Sequence, residues 1–175
     1  MLGVYLASPL TRDTYLLAKA LATGAVLAFV TIGPPLLMLV AFIVQGEGPD
    51  GPGGVALTVL RIVGAGLAIT GLYTAFSMGV SALTDRKAFA TAGLIMFFLL
   101  SNVVTGVLAG ALDLGEQVIA INIFFLPFAI VEKIHGEFEI FPEVTAVVAM
   151  AGGLAWTVVW ALVCRIRYQH LQVTK

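Results

Sequence analysis

Four apolar runs without a single charged residue constrain this chain more than any other feature. They cover 20–44, 62–84, 88–112 and 144–164, which is 25, 23, 25 and 21 residues. A helix crosses the hydrocarbon core of a bilayer with about 20 apolar residues. Only 11% of all residues are charged, against about 25% in soluble domains, so most of the surface must face lipid. We therefore predict an all-α integral membrane protein, a single transmembrane domain over 1–175, with spans at about 20–44, 60–84, 88–112 and 144–164.

A fifth apolar stretch, 117–131, is too short to be a typical span. Its 15 residues reach about 22 Å as a helix, which falls short of a core of about 30 Å. It also carries Asn122 and Pro127. We interpret it as a short re-entrant or interfacial helix, with an ordinary short fifth span as the alternative.

The placement of charge supports four crossings and gives them an orientation. With four spans, seven of the nine Lys and Arg lie on the side that holds both termini: Arg12, Lys19, Arg86, Lys87, Arg165, Arg167 and Lys175. The opposite side holds eight of the ten acids: Glu47, Asp50, Asp113, Glu116, Glu132, Glu137, Glu139 and Glu143. Because Lys and Arg are enriched in cytoplasmic loops, we expect both termini to be cytoplasmic. A fifth span would place the basic tail outside.

No arrangement of residues indicates catalysis. The sequence has no Walker-type phosphate loop, no HExxH and no GxSxG, and its single Cys164 and two separate His residues suggest no metal site. We predict a protein that is not an enzyme, holds no cofactor or metal and binds no nucleic acid. No acid lies inside a predicted span, so proton or sodium coupling is not expected. Energy for any transport would have to come from a partner.

Several residues inside the spans suggest packing or binding roles. Small residues at helical spacing in the second span predict a seam for close helix contact, namely Gly64, Ala68, Gly71, Ala75 and Gly79. Asn102 needs a polar partner inside the bundle, and Arg61 is interpreted either as snorkelling to the outer interface or as binding an anionic group. Pro34 and Pro35 are expected to kink or break the first span. Trp160 and Tyr168 are expected to be interface anchors.

The stretch SPLTRDTYLLAKALA (8–22) resembles the short cytoplasmic segment before the third span of ABC-2 type transporter permeases. Pro9, Arg12, Tyr15 and Lys19 match that pattern, and Ala18 replaces the family's Gly. The stretch at 76–108 is similar to the family's junction between the fourth and fifth spans. The stretch at 121–137 is similar to its Pro-containing segment that does not fully cross. Relative to the family, the chain begins where the second span should end, so we expect a fragment or first spans supplied by another polypeptide.

The resemblance implies a permease that dimerises with a second copy or a homologue in the inner membrane of a prokaryote. It implies export powered by an ABC ATPase subunit, which binds the ATP and Mg²⁺. Within the cytoplasmic segment 1–19, the implied contacts with that ATPase are Ser8, Pro9, Leu10, Thr11, Arg12, Asp13, Tyr15 and Lys19. From the residues alone, Thr11 would cap a short helix with Asp13 in its first turn, and Lys19 would meet lipid head groups. A non-transporting scaffold or immunity-type protein on the same bundle is the alternative.

Overall fold

A computed structural model describes residues 12–84, 86–111, 115–136 and 140–170. These residues form five α-helices and one 3₁₀ helix, without strands in the described ranges: α1 (Arg12–Gln45), α2 (Gly51–Ala82), α3 (Lys87–Gly110), the 3₁₀ helix (Glu116–Ile121), α4 (Leu126–His135) and α5 (Ala146–His170). The long helices α1, α2, α3 and α5 have the length and apolarity to cross a membrane, so the predicted number of four spans is confirmed in the described part of the chain. The helix α2 begins at Gly51, earlier than the predicted start near residue 60.

The helix α1 differs from the prediction at its start, and its two internal prolines leave it unbroken. It begins at Arg12 and continues for 34 residues, so the expected short helix is instead the first turns of one long helix. Pro34 and Pro35 lie inside α1 and do not break it. Each proline removes one backbone donor, but its neighbours continue the ladder of hydrogen bonds, as membrane helices tolerate.

The helix α2 lies at the centre of the bundle and contacts α1, α3, α4 and α5. Its Phe76 is 1% exposed, and its ring centroid lies 5.2 Å from that of Phe97 on α3 and 5.1 Å from that of Trp160 on α5. Phe97 and Trp160 also contact each other edge to face at 5.4 Å. Edge-to-face ring contacts of this kind stabilise beyond the area they bury, so this aromatic cluster joins three of the long helices.

The contacts between helices define two ends of the bundle. The hydroxyl of Thr31 on α1 donates to the carbonyl of Gly66 on α2 over 3.1 Å, while Lys19 at the start of α1 contacts Tyr168 near the end of α5. The start of α1, the end of α2, the start of α3 and the end of α5 therefore share one end, which we call the basic end. The 46–50 loop, the α4 region and the start of α5 form the opposite, acidic end. That the basic end is cytoplasmic stays a prediction from the charges.

The segment predicted to be re-entrant folds as two short helices with a break between them. The 3₁₀ helix has 6 residues and α4 has 10, so neither crosses a core of about 30 Å. The break at Asn122 bonds to Asn102, which lies eight residues, or about 12 Å, before the last residue of α3. The indole of Trp156, ten residues into α5, donates to the carbonyl of Ala120 over 3.0 Å. The segment thus enters the bundle from the acidic end and returns.

Candidate functional site

The basic end holds a polar contact between the start of α1 and the end of α5. The Lys19 ammonium donates a hydrogen bond to the Tyr168 hydroxyl over 3.0 Å and lies 5.6 Å from the centre of the Tyr168 ring. The Tyr15 ring lies one turn earlier on α1, with its centroid 6.3 Å from that of Tyr168. One aromatic side chain of α5 therefore holds two successive turns of α1, which we call the Tyr168 clasp (Tyr15, Lys19 and Tyr168).

The structure places only part of the predicted ATPase-contact segment. Ser8, Pro9, Leu10 and Thr11 lie outside the described residues, and Arg12 is the first residue of α1. Asp13 and Tyr15 are exposed at the basic end. Lys19, expected at lipid head groups, donates a hydrogen bond to Tyr168. Asp13, Tyr15 and Lys19 thus share one helix end, and contact between them and an ATPase subunit stays a prediction.

The predicted packing seam on α2 divides into residues that pack and residues that do not. A Cβ on Gly79 would lie 2.5 Å from Cε3 of Trp160 and 3.0 Å from its backbone oxygen, so α2 and α5 are in very close contact there. Ala75 is in the aromatic core and Ala68 packs against the cluster around α4. A Cβ on Gly64 or Gly71 would meet no atom within 4 Å. Because four helices surround α2, the small residues of the predicted seam do not all face the same neighbouring helix.

Asn102 finds the polar partner that its position requires. Its side-chain oxygen accepts a 2.9 Å hydrogen bond from Nδ2 of Asn122, and its own Nδ2 donates to the carbonyl of Phe98. Asn122 is 2% exposed, and its oxygen accepts the backbone N–H groups of Phe124 and Phe125 at 3.0 Å each. Asn122 therefore supplies the acceptor that the broken backbone lacks, as irregular backbone at membrane depth requires, and Asn102 satisfies the amide of Asn122.

At the acidic end, the 140–143 segment is fixed by a buried carboxylate. Glu132 is 5% exposed and accepts the Phe141 N–H at 3.1 Å and the Lys133 ammonium at 3.2 Å. Lys133 also donates to the Phe141 carbonyl over 2.7 Å. Arg61 is half-buried on the same end, with Nη2 3.8 Å from where a Cβ of Gly136 would lie. No acid among the described residues pairs with Arg61. Snorkelling to the interface and binding of an anionic group both stay predictions for this residue.

Sequence reasoning missed several of the residues that join the helices. Gly66 meets Ile32 of α1 so closely that a Cβ would lie 2.3 Å from Cγ1, and Gly152 meets Ala120. Trp160, expected as an interface anchor, is 8% exposed in the aromatic core, because Gly79 leaves room for it. The GAG sequence at 64–66 indicates a possible site of close helix packing. Which of its two glycines contacts α1 depends on the position of Ile32. Among the described residues no group of His, Cys, Asp and Glu is arranged to hold a metal.

These features define a multi-pass helical membrane protein whose last two long helices are separated by a segment that enters the bundle and returns. A family model described as ABC-2 family transporter protein matches residues 2–171. No curated protein and no solved structure matches the chain. The chain belongs to the ABC-2 transporter family and is an ABC-2 type permease, which confirms the resemblance seen in its sequence.

Proposed function

We propose that this permease is the membrane-spanning subunit of an ATP-driven ABC-2 exporter, and that a separate ATPase subunit supplies its energy. Membership of the transporter family supports a permease role. In this proposal ATP and Mg²⁺ bind to the ATPase subunit. The contact with that subunit is the start of α1 together with the residues before it, from Ser8 to Lys19.

The observation that carries this proposal is the length of α1 and its attachment at the basic end. Its 34 residues extend about 51 Å, which exceeds the hydrocarbon core of about 30 Å. The charge-free run begins at Ala20, so Arg12–Lys19 extends the helix by about 12 Å beyond it. The Tyr168 clasp joins this extension to α5. A force on the extension would reach two spans directly, without passing through a loop.

The absence of acids in the apolar runs supports an external source of energy. No Asp or Glu occurs in 20–44, 62–84, 88–112 or 144–164. Transporters driven by protons or sodium use intramembrane carboxylates to bind the coupling ion. A permease whose partner hydrolyses ATP needs no intramembrane carboxylate to bind a coupling ion.

We also propose a second permease copy or homologue in the complex, in the inner membrane of a prokaryote with the basic end cytoplasmic. The least covered helices support a partner in the membrane plane. Only 6% of the most apolar part of α1 and 11% of that of α3 are buried within the chain. Lipid covers what the second copy does not.

The test is co-purification of an ATPase subunit with the tagged permease from its native cells in mild detergent. We expect an associated ATP hydrolase, and we expect Arg12→Glu to weaken the association. Arg86→Glu, a charge reversal immediately before α3 at the same end, is the control that should leave it intact. If no ATP hydrolase associates under any mild condition, the coupling proposal fails and the scaffold or immunity-type alternative is favoured.

A further inference from the structure

A cleft of about 670 Å³ opens at the basic end between α1, α2 and α5. This volume lies within the range of about 300–1,000 Å³ that is usual for small-ligand sites. The walls are almost wholly apolar, and they include Leu17, Leu21, Gly24, Leu67, Gly71 and Met78. A Cβ on Gly71 would meet no atom within 4 Å, so this glycine leaves the cleft wide where a larger side chain would fill it.

The cleft has a defined length and a closed inner end. Along α1 it extends from Asp13 to Ala28, a range of 16 residues with a rise of about 22 Å. Beyond Ala28, Thr31 bonds to Gly66 and Thr70 of α2, and Ile32 contacts Gly66. The part within the charge-free run, from Ala20 to Ala28, measures about 12 Å, close to half of a core of about 30 Å. The part of the cleft that lies in the membrane is therefore about as deep as one leaflet.

The mouth of the cleft carries two opposite charges. Asp13 on α1 and Arg165 on α5 both line it. Within the described part of the chain, neither side chain forms an ion pair or hydrogen bond. Lys19, which also lies near the basic end, donates its hydrogen bond to Tyr168. An apolar cleft of leaflet depth with a free acid and a free guanidinium at its mouth is complementary to an amphiphile with a zwitterionic head.

We propose that this cleft binds a zwitterionic phospholipid with a primary ammonium head, taken from the leaflet at the basic end. Arg165 binds the phosphate, because a guanidinium presents paired N–H donors to phosphate oxygens. Asp13 accepts a hydrogen bond from the ammonium, and one acyl chain lies along Leu17, Leu21 and Gly71. The inference goes beyond the proposed function, because the lipid is a bound component of the permease and binds without ATP or an ATPase.

The test is native mass spectrometry of the purified chain released from nanodiscs made of equal parts phosphatidylethanolamine and phosphatidylglycerol. We expect one retained phosphatidylethanolamine. Gly71→Leu should abolish retention, since a leucine would project into the cleft. Gly106→Leu is the matched control, because a Cβ at either glycine meets nothing within 4 Å and Gly106 lies on α3, away from the cleft.

A second pair of variants tests the mouth. Arg165→Glu removes charge-assisted hydrogen bonds to the phosphate and should weaken retention about tenfold or more. Arg167→Glu makes the same change two residues away, outside the cleft lining, and should retain the lipid. Equal retention in Gly71→Leu and wild type, equal retention of phosphatidylglycerol, or loss of a bound polypeptide rather than a lipid on Gly71→Leu would each overturn the proposal. None of these readouts depends on an ATPase.

Discussion

The Lys19 ammonium donates a hydrogen bond to the Tyr168 hydroxyl over 3.0 Å, and this contact joins residues 149 positions apart at one end of the bundle. Lys19 is the last charged residue before the apolar run of α1 begins, and Tyr168 follows the last apolar turns of α5. Both side chains carry a polar tip on an apolar body, so both lie where a span meets water. This contact therefore joins the first and last long helices into one unit at the basic end.

Removing the Tyr168 hydroxyl should loosen that unit. Tyr168→Phe keeps the ring beside Tyr15 but deletes the acceptor for Lys19. We expect the free energy of unfolding in detergent to fall by about 0.5–1.5 kcal/mol, the usual net value of one hydrogen bond. The measurement is reversible unfolding monitored by tryptophan fluorescence.

Tyr73→Phe is the matched control for this change. The Tyr73 hydroxyl has no hydrogen-bond partner among the described residues, and its ring packs edge to face against Phe98 at 6.2 Å. We expect stability to stay within about 0.5 kcal/mol of wild type. An equal loss in both variants would mean that the Lys19 bond contributes nothing specific.

The number of four spans was predictable because it depends on local hydrophobicity, which lipid stabilises directly. The break at Asn122 was not, because a short apolar run with one Asn and one Pro is compatible with a continuous helix. Its location depends on Asn102, 20 residues away in sequence. The packing roles of Gly66 and Gly79 likewise depend on Ile32 and Trp160 of other helices. Local pattern identifies candidates, and only tertiary contact selects among them.

Breaking the Asn102–Asn122 pair should destabilise the bundle more than the loss of one ordinary hydrogen bond. Asn102→Leu leaves Nδ2 of Asn122 without its partner at a residue that is 2% exposed. An orphaned buried donor costs about 1–3 kcal/mol, and the same unfolding measurement detects this. Ser81→Ala is the control, because the Ser81 hydroxyl bonds only within its own helix, to Met78. A smaller loss for Asn102→Leu than for Ser81→Ala would contradict this account.

Two glycines of the predicted α2 seam should respond to alanine in opposite directions. Gly79→Ala places a Cβ 3.0 Å from the backbone oxygen of Trp160, which side-chain rotation cannot relieve, so we expect a loss of about 1–3 kcal/mol. Gly64→Ala meets no atom within 4 Å and should gain up to about 1 kcal/mol from helix propensity. Comparing the two free energies of unfolding checks this. If both variants shift in the same direction, the close contact between α2 and α5 is not a determinant of stability.

The buried Glu132 should control the order of the segment that leads into α5. Its carboxylate accepts the Phe141 N–H and pairs with Lys133, which in turn donates to the Phe141 carbonyl. Hydrogen bonds to charged groups contribute about 1.5–3 kcal/mol each. Glu132→Gln removes the negative charge and therefore weakens the bonds to Phe141 and Lys133. We therefore expect amide hydrogen exchange at residues 140–145 to become about tenfold faster or more, measured by mass spectrometry in detergent. Glu47→Gln, an exposed acid on the other loop of the acidic end, should leave that exchange unchanged. Unaltered exchange in Glu132→Gln would show that apolar packing of Phe141 and Val144 holds the segment without the carboxylate.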